Sequence, residues 1–373
     1  MGPTATDATV PCLRVPGEVV RQQIEAVLRA WGMREETLRT TAAVMTETDL
    51  IGVDSHGISM LPEYDIRRQS GRIDLTAVPR IVRESPVSAL IDAGAGFGHP
   101  AAVLATELAI EKCRVHGVAT VGVRNSHHFG AAGHYARLAA EAGVVAVVTS
   151  SSRYVSVVPT RGAEPVLGTN PIAMAAPAGG HPPVVLDMAT SVAAINKVKV
   201  HAIRGEPIPA GWVVDGDGAP LTDAAAALDQ LREQPDGGLA PLGGADESTG
   251  GHKGYGLSLF AQILGGTLTG SSFSPVRNAT MGPDAPDNIG HLFIALDPAW
   301  FRDAGGFEAD VGVIVDTLHG SRPAHPDRPV LVAGEPEWIT RQERLRLGIP
   351  LPLTLCTAIR ELADAAGAPY LLG

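Results

Sequence analysis

Two histidines stand side by side at His127 and His128, inside the run Arg124–Gly130 (RNSHHFG). An imidazole has an unperturbed pKa of about 6.5, so it gives or takes a proton near neutral pH. The run follows an apolar β-type stretch, Val118 to Val123. It precedes an amphipathic helical pattern that begins near Ala131 and stops at Gly143. The histidines therefore sit where a strand hands over to a helix, the end of an open α/β sheet at which ligands bind. Read alone, the run is more simply a helix-capping His beside a hydrogen-bonded polar one. Other stretches shift that balance.

Gly52–Gly57 (GVDSHG) brings Asp54, Ser55 and His56 together. In an extended backbone Asp54 and His56 project to the same side, and a carboxylate there orients an imidazole and holds it protonated. An Asp-Ser turn with a surface His is the plainer reading. Asp187-Met188-Ala189-Thr190-Ser191 closes an apolar strand that starts at Val184. An acidic group and hydroxyls at such a junction suit ribose and phosphate, although N-capping by Thr190 or Ser191 explains the hydroxyls equally well. Gly250–Gly256 (GGHKGYG) sets Lys253 at the start of a helix with an apolar stripe of Leu257, Phe260, Ala261, Leu264 and Leu268. A cation there opposes the helix dipole by ~0.3–1 kcal/mol. An anion held between Lys253 and free backbone N–H groups reverses that sign, and the flanking glycines let a ligand approach the backbone. Gly94–His99 (GAGFGH) is not a dinucleotide fingerprint, because His99 stands where the third glycine belongs. It reads as a turn.

The elements that must position these groups alternate along the chain. Residues 1–15 read as a loose leader. Helical spacing covers Glu18–Ala30 and Glu35–Asp49, and Tyr64, Arg67 and Arg68 fall on a helix ending at Gly71. A strand over Ala89–Asp92, a helix over Ala101–His116 and strands over Val144–Thr149 and His291–Leu296 surround the central run. Residues 204–250 are irregular apart from a helix near Asp223–Glu233; helices over Phe307–Leu318 and Thr354–Ala366 close the chain.

A length of 373 residues predicts about two domains, and 45% hydrophobic with 18% charged residues is a globular composition with ample core. The net charge of −11 disfavours nucleic acid and anionic membranes as partners. No apolar run approaches the ~20 residues that span a bilayer, and no secretory leader is evident. Cys12, Cys113 and Cys356 lie far apart without a CxxC, which argues against a disulfide framework or structural zinc and for a cytoplasmic protein.

Seven stretches taken together resemble the malate/L-lactate dehydrogenase family of the second type, which includes sulfolactate, ureidoglycolate and diketogulonate oxidoreductases and cyclic-imine-carboxylate reductases. In order they are Gly52–Gly57, Asn125–Gly130 (NSHHFG), Gly168–Pro171 (GTNP), Leu186–Ser191 (LDMATS), Pro209–Trp212 (PAGW), His252–Gly256 (HKGYG) and Gly334-Glu335. Each is weak alone; seven in order over about residues 18–350 is specific. The resemblance implies an α/β fold that binds NAD or NADP without a Rossmann unit. A helical, dimerising domain would come from residues 16–75 with 275–373, and an α/β cofactor domain from 76–274. It implies a homodimer with the active site between domains, His128 or His56 as proton donor, and cofactor contacts at Asp187, Met188, Ala189, Thr190, Ser191, His252, Lys253, Ala333, Gly334 and Glu335.

Three positions depart from the family pattern. Met60 replaces an Arg that grips the substrate carboxylate in many members, Ser152 stands where some keep Lys, and Ala245–Gly251 is inserted before HKGYG. The reading is thus an NAD(P)-dependent oxidoreductase that reduces the C=O of an atypical 2-oxo acid. His128 leads as general acid, His56 is second, and Asp54 assists. Ser55, Met60, Asn125, Arg153 and Thr169 are expected to line the substrate, with Arg153 as the relocated carboxylate clamp and no metal required. Reduction of a cyclic imine carboxylate is the nearest alternative. A metal-dependent hydrolase built on His56, His127, His128 and Asp54 and a non-catalytic ligand-binding relative are the others.

Overall fold

The computed structural model describes residues 11–282 and 285–373. Most of the expected leader lies outside them. Residues 12–15, expected to be loose, instead form a strand. In chain order the first elements are β1 (Cys12–Val15), α1 (Gly17–Ala30), α2 (Glu35–Leu50), α3 (Leu61–Gln69), β2 (Arg80–Glu84), β3 (Ser88–Asp92), α4 (Gly98–His116) and β4 (Val118–Ser126). Then come α5 (Ala132–Glu141), β5 (Val145–Ser150), β6 (Ile172–Ala176), β7 (Val184–Met188), α6 (Ile195–Arg204), β8 (Val213–Val214), β9 (Pro220–Leu221), α7 (Ala224–Glu233) and β10 (Gly238–Leu239). The chain continues with α8 (Gly251–Ala261), α9 (Ser274–Thr280), β11 (Ile289–Leu296), α10 (Gly306–His319), α11 (Glu335–Leu347), β12 (Ile349–Pro352) and α12 (Leu353–Ala366).

The centre is a seven-stranded sheet in the order β2-β3-β4-β11-β5-β6-β7. Only β3 and β4 are parallel; every other pair is antiparallel. Strand β4 reads as a nearly continuous apolar run because it is covered on both faces. Ala119, Val121 and Val123 pack beneath α4 and α5, while Gly122 on the other face lies against Thr269. The sheet thus mixes strand directions, with α4 and α5 on one side and a π-helical turn, Gln262–Thr267, against β5 and β11 on the other.

A second core joins both ends of the chain. Val20, Ile24 and Val27 of α1, Leu38 and Met45 of α2, Leu61 and Tyr64 of α3, and Ile359 and Ala363 of α12 bury together. The β1–β12 pair lies beside them. A third, smaller core packs Val198 of α6 and Ala227 of α7 against Val213 and Leu239 of a three-stranded sheet, β10-β8-β9.

Two expectations are corrected here. The grouping of 275–373 with the helical part put Ile289–Leu296 on the wrong side: β11 is the middle strand of the sheet, because both its faces are apolar and both its edges find partners. The helix bearing HKGYG begins at Gly251 rather than after Gly256, and of its apolar stripe Ala261 is buried while the larger side chains are open. Leu257, Phe260 and Leu268 are 38%, 61% and 64% exposed, so this face of the monomer is apolar and open.

Candidate active site

Strand β4 ends at Ser126, and the two histidines that follow leave it in different directions. The His128 ring turns toward the helical core. Its Nδ1 lies 2.7 Å from the Tyr64 hydroxyl, and the Gly130 N–H points at the same nitrogen from 3.4 Å. Its centroid is 5.1 Å from that of His56, whose own Nδ1 lies 2.7 Å from Ser55 Oγ. Tyr64 and His99 are fully buried and Phe97 nearly so behind this pair. Both His56 and His128 keep partial access to solvent while protein crowds them from the other sides. Burial lowers the His56 pKa. Burial first, then the positive influence of His56, His99 and Arg67, holds His128 well below its ordinary range. The sequence reading paired these two histidines without a mechanism for their contact; the structure brings them together.

Asp54 does not join them. Residues 51–57 form turns rather than extended backbone, so alternation does not apply and the carboxylate swings away to pair with Arg344 on α11. Arg344 also donates to the Asp49 carbonyl at 2.6 Å. The expected orienting role of Asp54 toward His56 is therefore replaced by a structural one. Gly57 is required beside it, because a Cβ there would sit 1.8 Å from Asp49 Oδ1; that buried carboxylate accepts from the Ile58 N–H at 2.8 Å.

His127 points to the opposite side, fully buried, with Nδ1 3.1 Å from Asp287 Oδ2 and Nε2 2.6 Å from the Arg72 carbonyl. The four groups of the hydrolase alternative thus diverge: His127 faces Asp287 and Asp54 faces Arg344. Asp287, which the sequence reading missed, is a hub. Arg153 Nε donates to it at 3.0 Å, and Arg72 and Arg277 approach within 3.9 Å. Burial alone would raise this carboxyl, but the hydrogen bond and charge of His127, with Arg67 and Arg153, outweigh it and hold it at about 2. Arg153 keeps its Nη groups without a hydrogen bond among the described residues. Arg68 instead pairs with Asp65 and stacks on Trp31, and Arg67 is taken by Glu63.

The other expected substrate residues separate. Met60 is half-buried against the helical core. Asn125 is not directed at the histidines: its amide donates to Asp92 at 3.0 Å and its backbone N–H to Asn288, so it ties the end of β4 to β3. Thr169 contributes its carbonyl, which accepts from both the N–H and Oγ1 of Thr190.

The residues expected to contact a dinucleotide form one connected track. Asp187, at the end of edge strand β7, accepts from the Gly133 N–H at 2.7 Å at the start of α5. Its surface is open, yet protein packs closely around the carboxylate, and this desolvation pushes it up to about 6. Met188 and Ala189 are half-exposed beside it. Ala333 O accepts from Val185 N, which docks the Ala333–Glu335 turn on the same strand. Glu335 Oε2 holds the Val332 N–H and meets His319. Thr190 and Ser191 cap no helix: their hydroxyls donate to carbonyls, and α6 starts only at Ile195. The Thr190 carbonyl accepts from Leu242 N, and Leu242 packs against Gly254 of α8. His252 and Lys253 are exposed in the first turn of α8, and Lys253 forms no ion pair among the described residues. The inserted turn takes one N–H of that helix start, because Gly251 N donates to the Asp246 carbonyl. An open carboxylate at one end of the track and an unpaired cation on a helix start at the other fit the hydroxyls and phosphates of a nicotinamide dinucleotide.

The sequence model described as malate/L-lactate dehydrogenase matches residues 15–360. A malate dehydrogenase of Pyrococcus abyssi is 38% identical over 357 residues, covering 95% of each chain. An L-sulfolactate dehydrogenase of Methanothermobacter thermautotrophicus is 35% identical over 351 residues, 94% of this chain and 96% of the relative. The crystal structure of malate dehydrogenase from Entamoeba histolytica superposes with a TM-score of 0.90 at 33% identity, covering 96% of this chain and 99% of that one. The protein belongs to the malate/L-lactate dehydrogenase family. It is an oxidoreductase with that family's mixed α/β fold.

The Asp287 hub yields a stability prediction. Asp287→Ala leaves three arginines and His127 without their counter-charge, and breaking such a buried pair costs about 3–5 kcal/mol. Because the folded carboxyl is held below its unfolded value, its contribution is present at neutral pH and is lost as pH falls from about 4 toward 2. Urea unfolding at pH 7 and pH 3 checks this: the gap between variant and unaltered protein should be large at the first and shrink at the second.

Proposed function

We propose that the protein is an NAD(P)-dependent 2-hydroxy acid dehydrogenase working on a 2-oxo acid bulkier or less polar than pyruvate or oxaloacetate. The observation that carries this reading is the pair of facing imidazoles, His56 and His128, at 5.1 Å, joined through the start of α5 to the Asp187 track. The bound nicotinamide supplies or accepts the hydride. The chain does the rest. Asp187 through Ser191, Ala333–Glu335 and Lys253 hold the dinucleotide, and the two imidazoles neutralise charge on the substrate oxygen, worth ~10²–10⁴-fold. The free Nη edge of Arg153 supports the idea of a relocated clamp, since two parallel N–H donors match a carboxylate. Met60 offers an apolar, adaptable wall in place of the missing arginine.

A spectrophotometric panel of NADH and NADPH against 2-oxo acids and cyclic imine carboxylates tests this reading. His56→Asn and His128→Asn should each cut kcat by ~10²–10⁴, and Arg153→Ala should lose kcat/KM. Met60→Arg should gain activity on small 2-oxo acids. No turnover of any member sinks the reading; efficient reduction of pyruvate with a silent Arg153→Ala removes the relocated clamp.

Lys253→Ala should weaken NAD(P)H binding, more at low salt because the charge is screened at high salt. Equal affinities by fluorescence titration at low salt remove Lys253 from the cofactor site.

We also infer a cytoplasmic homodimer in which the ends of the chain form the dimerising part. The open apolar side chains Val276, Ile314, Leu345 and Leu353, all in the closing part of the chain, support a partner there, and the three unpaired cysteines support a reducing location. No helix among the described residues is long and apolar enough to cross a membrane. Light scattering that gives the mass of one chain at micromolar concentration overturns the dimer.

A further inference from the structure

The two active-site imidazoles are held by different kinds of partner, and the difference divides their work. Two groups meet at His128 Nδ1: the Gly130 N–H at 3.4 Å, a fixed donor, and the Tyr64 hydroxyl at 2.7 Å, whose role follows the tautomer of the ring. Neither group has another acceptor among the described residues, and Tyr64 is fully buried, with Phe97 edge-on to its ring at 4.8 Å. A proton on Nδ1 would strand the Gly130 N–H, since a backbone N–H cannot turn around and buried donors need acceptors. The proton of neutral His128 therefore sits on Nε2. Among the described residues His56 has only the Ser55 hydroxyl at Nδ1, 2.7 Å away. A hydroxyl rotates, so it donates to the neutral ring and accepts from the charged one.

We infer that Tyr64 is a positioning residue that holds His128 as its neutral Nε2–H tautomer, leaving His56 as the histidine whose proton is exchanged with substrate. The exchange rests on the oxidoreductase reading above; the tautomer does not. In the reducing direction hydride adds to the carbonyl carbon and the C=O electron pair moves to oxygen. The Nε2–H bond of the His56 imidazolium breaks, its proton forms the new O–H bond, and its electron pair stays on the now neutral ring. His128 donates a hydrogen bond from Nε2–H throughout and keeps its proton. The groups that act on His128 from the surrounding elements agree with this. Arg67 on α3, His99 on α4, His56 and His291 on β11 are cations or imidazoles, so none favours a second positive charge there.

Tyr64 itself gave no chemical signal in sequence beyond its place on a helix.

The test is two-bond ¹H–¹⁵N spectroscopy of the full chain labelled at histidine, with His56 and His128 identified from the two Asn variants. In the unaltered protein His128 should show a protonated Nε2 and a bare, hydrogen-bonded Nδ1 at neutral pH, and on acidification His56 should take up its proton before His128 does. In Tyr64→Phe the Nδ1 resonance of His128 should shift, and its protonation midpoint should rise toward the ordinary value of about 6.5. The acid limb of the kcat profile should move up with it, by about one pH unit, while KM for the nucleotide stays unchanged. A His128 that is imidazolium or Nδ1-protonated at pH 7 in the unaltered protein overturns the inference, even if the variant fails to fold. So does a Tyr64→Phe protein whose His128 resonances and kcat profile match the original. Absence of turnover on every substrate would instead bring down the oxidoreductase reading, and the tautomer would still be decided by the spectra.

Discussion

Successive side chains at the end of a strand leave the backbone in different directions, and the site depends on that constraint at His127 and His128. One ring enters the buried charge hub and the other turns to Tyr64 and His56. Neither could serve both purposes, because a ring fixed between Asp287 and the Arg72 carbonyl has no free nitrogen. The strand itself is held on both edges, by β3 and β11, so the point of divergence is fixed by the most deeply packed part of the sheet.

Around this point, charge is arranged by depth. Asp287 is fully buried and surrounded by cations, so it stays ionised. Asp49 is also buried, but its close partners are one N–H and a more distant Arg344, and burial raises it well above its ordinary range. Asp187 keeps an open surface and falls between the two. The same residue type is thus tuned by neighbours rather than by exposure alone. Burial pushes both His56 and His128 toward the neutral form, and no carboxylate among the described residues lies at hydrogen-bond distance to oppose it.

Much of the fold was legible because its elements are long and strongly patterned. The strand before RNSHHFG and the helix after it were read to within three residues at every boundary, and the seven ordered stretches pointed to the family before any geometry. The cofactor track was legible only as separate pieces; what joins them are backbone hydrogen bonds such as Leu242 N to Thr190 O, which side-chain patterns do not encode. Asp54 misled because the stretch was treated as extended, whereas the glycines at 52 and 57 let it turn. Asp287 left no trace, since an aspartate in a Pro-Asp-Asn loop reads as surface until distant arginines arrive. That the large side chains of the apolar stripe starting on α8 are open left no sign in the sequence, because period and hydrophobicity do not distinguish an interior face from one left open.

The late arrival of β11 has a consequence for how the chain is made. Its bonds to β4 and β5 span 165 and 141 residues, as between His291 and Ser126 and between His291 and Ser150. During synthesis β4 and β5 emerge long before the strand that separates them in the finished sheet, and they share no ladder of their own. Each must wait with an apolar edge unfilled, the condition in which nascent chains pair wrongly or recruit chaperones. Such distant pairing also makes folding slow. The last third of the chain is therefore a timing element as well as a structural one: truncated translation products that stop before Ile289 contain both histidines yet lack the strand that holds them apart from their neighbours.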